Sequence, residues 1–189
     1  MWNRKVKKEF LQKLVEYERI EEDKLVIYEY GFDLLIKKIC HIMLIIFVAF
    51  LCNEVIGVVL FLLFYADLRE YSGGYHAKSS IGCYFCTAWV TVFAIILIKL
   101  LGKVATTKIW SIVLFCGAII WILSPQDSEN KPFLYNEKEL YRQISHRHII
   151  VQGIFALSGV FFPVIANSVG VAWTIQAIML VVNYFKKNY

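Results

Sequence analysis

Cys83 follows His76 by seven residues in the stretch Arg69-Glu-Tyr-Ser-Gly-Gly-Tyr-His-Ala-Lys-Ser-Ser-Ile-Gly-Cys83, and a thiol beside an imidazole can do acyl transfer. Cysteine attacks as the thiolate, and a neighbouring histidine lowers the thiol pKa from about 8.5 to well below neutrality. The same imidazole can take the thiol proton and later protonate the leaving amine. Gly73 and Gly74 let the backbone turn sharply and come close to a substrate. The competing reading is structural, with His76 a satisfied interfacial histidine and Cys83 a small apolar residue in a helix.

The elements that carry these residues have to bend. On one straight helix the two Cα atoms would lie roughly 10 Å apart. Helical side chains lean toward the N-terminus, so Cys83 would lean toward His76 while His76 leaned away. The spacing therefore predicts that Gly73 to about Ser80 is not regular helix, and that His76 folds back over Cys83 near the start of the next segment. Ser79 or Ser80 would cap that helix, whose N-terminus would help hold a thiolate.

The pattern R-x-x-x-G-G-Y-H-A-x-S-x-x-x-C resembles the accessory gene regulator protein B (AgrB) family, membrane-embedded cysteine endopeptidases that process quorum-sensing peptide precursors in Gram-positive bacteria. A later stretch, Ser124-Pro-Gln-Asp-Ser-Glu-Asn-Lys131-Pro132, is similar to that family's second element. The resemblance implies that Cys83 and His76 are catalytic and that Arg69 belongs to the functional motif, orienting the substrate carboxyl region or the loop. Gly73, Gly74 and Ser80 would support the motif, and Lys131 and Pro132 would meet an acidic tail. It further implies cleavage of a small amphipathic precursor on the inner leaflet through an acyl-enzyme thioester, followed by thiolactone or lactone cyclisation. No metal or organic cofactor is called for. The alternative is a non-catalytic membrane scaffold or a peptide transporter.

Composition points to a bilayer. Of the 189 residues, 59% are hydrophobic, where about half would be usual for a soluble domain. Six apolar blocks, 42–51, 55–66, 81–101, 109–123, 149–166 and 169–185, predict an all-α, polytopic membrane protein of a single domain. The first two blocks are too short to cross a core that takes about 20 residues, so they read as a thin or re-entrant hairpin turning at Cys52-Asn53-Glu54. Ahead of them, Val6, Phe10, Leu14 and Tyr17 recur at helical spacing, which predicts an amphipathic surface helix within residues 1–39. No cleavable leader is expected before these charged residues.

Counting Lys and Arg decides the orientation expected. Basic loops stay in the cytoplasm, and with the hairpin 17 of these residues fall inside and 3 outside, against 12 and 8 if 42–66 were one span. Both termini, the 67–83 loop and the polar loop 124–148 then face the cytoplasm, where thiols remain reduced. The net charge of +5 gathers at Arg4–Lys8 and at segment flanks, which fits membrane anchoring and not nucleic-acid binding.

The remaining polar residues read modestly. Cys86 completes a C-x-x-C with Cys83, but no second pair makes a four-ligand metal set, so it reads as a packing thiol. A group to orient His76 is open among Asp67, Glu70, Ser80 and Asp127. His146 and His148 are two apart and share no helical face. Gly153, Ala156, Gly159 and Ala166 would let helices approach closely and allow a homodimer.

Overall fold

The computed structural model describes residues 13, 25–75, 80–103, 106–127, 133 and 137–188. Among the described residues the helices run in the order α1 Leu25–Leu51, α2 Val55–Ser72, α3 Ser80–Leu101, α4 Thr106–Leu123, α5 Glu137–Leu157 and α6 Pro163–Asn188, with a short 3₁₀ turn Ser158–Val160 before the last. There is one helix for each apolar block. The amphipathic helix expected within residues 1–39 falls mostly outside the described residues.

The chain divides into two units, residues 1–47 and 48–189. The first holds most of α1, a helix of 27 residues many of whose apolar side chains, among them Val26, Ile27, Tyr30 and Met43, are exposed. α1 and α6 are both long and apolar enough to cross a membrane.

The second unit, which begins at Val48, contains the turn expected at Cys52–Glu54. Asn53 takes a left-handed φ of 58°, a conformation that asparagine adopts more readily than most residues. The Asn53 N–H donates to the Phe50 carbonyl (3.0 Å) and the Glu54 N–H to that of Ala49 (2.9 Å), the Schellman pattern that satisfies the last carbonyls of a helix. The stretch 42–66 is therefore two helices and not one span. Those helices are longer than their apolar blocks, because α2 continues through Asp67–Ser72, where no residue breaks a helix. Likewise the polar stretch 124–148 is not loop throughout. It is helical from Glu137, where acidic residues in the first turn of α5 favour a helix start.

α6 is the centre of this unit and packs against α2, α3, α4 and α5. Its middle, including Val169, Ala172, Trp173 and Leu180, is buried. Close approach depends on small residues. A Cβ on Gly117 would come within 2.5 Å of the Trp173 ring, and one on Gly159 within 2.3 Å of the Ala166 Cβ. Ala156, Gly159 and Ala166 are thus buried in packing within the chain.

Polarity is distributed unusually. Ser72, Ser145, Gln152, Ser168 and Gln176 are buried, whereas Trp89, Leu114 and Ile122 are more than 70% exposed. The interior polar groups bond across helices: Gln152 Nε2 donates to the Phe64 carbonyl (2.9 Å), Trp173 Nε1 to Gln152 Oε1 (2.8 Å), and Ser168 Oγ to the Gly57 carbonyl (3.0 Å).

Candidate active site

α2 ends at Ser72 because the next two residues leave helical space. Gly73 has φ 71° and Gly74 φ 114°, which side chains other than hydrogen rarely allow. Space is as restrictive as conformation, since a Cβ on Gly73 would lie 1.9 Å from the Gln126 carbonyl oxygen. The two glycines thus form an elbow pressed against the segment that follows α4.

Three groups hold this elbow. Arg69, one turn back on α2, donates from Nη1 to the Gly73 carbonyl and from Nη2 to the Tyr75 carbonyl. The planar guanidinium fork suits two fixed acceptors. From α6, Gln176 Nε2 donates to the Gly73 carbonyl at 2.9 Å, and the Met179 carbonyl accepts the Tyr75 N–H at 3.2 Å. Both of these Arg69 contacts are thus to carbonyls of the elbow.

The second motif meets the first here. After the cis Ser124–Pro125 bond, the Gln126 N–H donates to the Ser72 carbonyl (3.0 Å), and Gln126 forms a parallel bridge with Gly73. Asn183 Nδ2 donates to Gln126 Oε1 (2.9 Å) and to the Asp127 carbonyl (3.2 Å). The Asp127 carboxylate accepts a hydrogen bond from Lys187 Nζ at 2.7 Å, which holds its pKa below the usual carboxylate value. Lys186 lies 5.0 Å from the centre of the Tyr75 ring, within cation–π range. Two sequence motifs some fifty residues apart therefore share one face of α6.

The remaining expected residues are placed as follows. Cys83 is the fourth residue of α3 and Ser80 its first, and the side chains of both lie outside what is described. His76, Ser79, Lys131 and Pro132 fall outside the described residues. Among the groups considered for orienting His76, Asp127 is engaged by Lys187, and Asp67 and Glu70 are exposed. Cys86 is a half-buried free thiol. His146 and His148 face different partners: His146 stacks on Trp121 with ring centres 3.7 Å apart, and His148 meets Tyr71 edge-on at 5.3 Å.

The family model described as Accessory gene regulator B matches residues 7–181. The chain belongs to the accessory gene regulator B family. A Clostridium perfringens protein (strain SM101 / Type A) named as AgrB-like is 26% identical over 127 residues, covering 63% of the chain and 58% of that relative. The chain thus spans little more than half of that relative's length. A second AgrB-like protein, from C. perfringens strain 13 / Type A, is 23% identical over 188 residues, covering 89% of the chain and 87% of the relative. No solved structure matches. Accessory gene regulator B membership is consistent with a role in the corresponding quorum-sensing system.

Sequence reasoning did not single out Gln126, Gln176, the Met179 carbonyl or Asn183. A signal for two of them existed: Gln176 and Asn183 are polar residues seven apart, hence on one face, in the mostly apolar run 175–185 of that helix.

Proposed function

We propose that this accessory gene regulator B family member is a membrane-embedded cysteine endopeptidase that removes the C-terminal tail of a small autoinducing-peptide precursor and promotes its cyclisation. The observation that carries this reading is the anchoring of Tyr75. Its N–H is bound by Met179 and its carbonyl by Arg69, so the residue directly before His76 is held on both sides. Four residues after His76, α3 begins, with Cys83 in its first turn. Such an elbow supports pre-organisation of an imidazole–thiol pair, and reacting groups held in place can supply much of a rate enhancement.

In the proposed reaction His76 takes the Cys83 thiol proton, and Sγ attacks the scissile carbonyl carbon. The carbon–nitrogen bond breaks as His76 protonates the departing amine, which leaves a thioester on Cys83. A Cys or Ser side chain of the precursor then attacks that carbonyl as His76, neutral again, takes its proton; the carbon–sulfur bond breaks, and the ring is released with Cys83 restored as thiolate. Thioester exchange is nearly balanced in bond energy, so loss of the charged tail and exclusion of water favour cyclisation over hydrolysis.

Embedding in a bilayer is supported by the large apolar side chains on the exterior and by the polar residues placed in the interior. The Lys and Arg distribution supports a cytoplasmic site. The deciding experiment is mass spectrometry of wild type and Cys83→Ala in liposomes with the precursor encoded nearest the gene. A released tail and a cyclised fragment with wild type alone are expected. Intact precursor in both, with binding retained, would leave a scaffold or transporter.

A further inference from the structure

We propose that Gln176 is a positioning residue of the acyl-transfer site, acting on His76 through the Gly73 carbonyl; the inference rests on the cysteine-peptidase reading above. Gln176 is fully buried in the middle of α6, between buried Ile175 and Ala177. Its Nε2 donates to the Gly73 carbonyl and to the Ser72 hydroxyl, the first residue of the elbow and the last of α2. The amide can face only this way, because turned over it would set its own carbonyl against that of Gly73. In this orientation Oε1 is buried and has no hydrogen-bond partner among the described residues.

A buried acceptor without a partner destabilises a fold, and a methionine of similar volume would fill the same space without that penalty. What glutamine adds is the pair of donor contacts to the elbow. From Gly73 the chain runs to Tyr75, whose N–H is fixed three residues further along α6 at Met179. The next residue is His76. Asn183, one heptad beyond Gln176, holds the Gln126 segment against which Gly73 is pressed. One face of α6 thus serves as the template on which the elbow is set. Among the described residues Gln176 donates to the elbow, at Ser72 and Gly73. It decides where the segment leading into His76 lies, and a displacement of about 1 Å at such a place lowers turnover on the order of 100-fold.

The test uses the full chain in liposomes as wild type, Gln176→Met, Gln176→Glu and Gln152→Met. Three quantities are followed: the pH dependence of iodoacetamide modification at Cys83, read by peptide mass spectrometry; kcat and KM for cleavage of the precursor encoded nearest the gene; and thermal unfolding. Gln176→Met should move the Cys83 profile to higher pH and lower kcat about 100-fold, with KM near wild type. Gln152→Met removes a similarly buried amide, bonded to Phe64 and Trp173. It should lower the unfolding temperature and leave the Cys83 profile in place. Gln176→Glu should recover turnover at acid pH, where a neutral carboxyl can donate to Gly73, and lose it as the carboxyl ionises. This variant decides the matter if Gln176→Met does not fold.

A wild-type profile and kcat in Gln176→Met overturns the proposal, as does an equal shift in Gln152→Met or a Gln176→Glu enzyme without pH-dependent recovery. The two readings fail separately. If Cys83 in wild type alkylates as an ordinary thiol and Cys83→Ala still cleaves, the peptidase reading falls and this proposal with it. A lowered wild-type profile that Gln176→Met leaves unchanged removes Gln176 alone.

Discussion

Gly73 is pressed against Gln126 so closely that a single methyl group on Gly73 would lie 1.9 Å from the Gln126 carbonyl oxygen. This contact joins the end of α2 to the segment after α4. It requires a residue with neither Cβ nor a negative φ.

Gly73→Ala therefore meets two obstacles. The backbone conformation is strained by about 1–3 kcal/mol for any residue with a side chain, and Gln126 has to move aside. We expect a lower unfolding temperature in detergent and loss of precursor processing. An alanine variant that processes normally would mean that the elbow is not needed in this form.

Arg69→Lys keeps the charge and removes the fork. One ammonium cannot present two parallel donors to the Gly73 and Tyr75 carbonyls as a guanidinium does. We expect processing to fall on the order of 100-fold, nearly as far as in Arg69→Ala, with little change in membrane insertion. Near-normal turnover in the lysine variant would show that charge alone is required.

Asp127 supplies a pH dependence of predictable sign. The hydrogen bond from Lys187 lowers its folded pKa below the ordinary value of 3.8. Its contribution to stability is therefore full above that value and is lost as pH falls through the lowered folded pKa. The pair is substantially exposed, with side-chain exposures of 39% and 66%, so its worth is under about 1 kcal/mol. Asp127→Asn should melt slightly below wild type at pH 7, and the difference should close in acid. A gap that widens on acidification would contradict the pairing.

Trp89 and Trp173 offer a test of embedding. Trp89 is 72% exposed on α3, whereas Trp173 is 4% exposed in the core. In variants that retain one of these as the sole tryptophan, brominated lipid should quench Trp89 strongly and Trp173 weakly. Equal quenching would argue against the packing of α6.

Much of this arrangement was legible in the residues themselves. The paired glycines announced the break after Ser72, and the polar Asn53-Glu54 pair announced the turn after α1, because each is a local conformational signal. Helix ends were harder to read. Apolar blocks mark where side chains meet lipid or core, while the helices continue through polar turns such as Asp67–Ser72 and Glu137–His148. The template on α6 was hidden for a different reason. Gln176 and Asn183 matter through contacts 103 and 57 residues away in sequence, respectively, and spacing within one helix does not say which loop it will meet. Gly159 and Ala166 meet within one chain, a contact that their spacing alone did not specify.

The order of the elements along the chain has its own consequence. The elbow at Gly73 and the segment at Gln126 are both synthesised before α6, the helix that supplies Gln176, Met179 and Asn183 to hold them. During translation these two segments lack their scaffold. The elbow and the Gln126 segment gain these contacts only when the last helix has docked, so their final geometry belongs to the last stage of assembly.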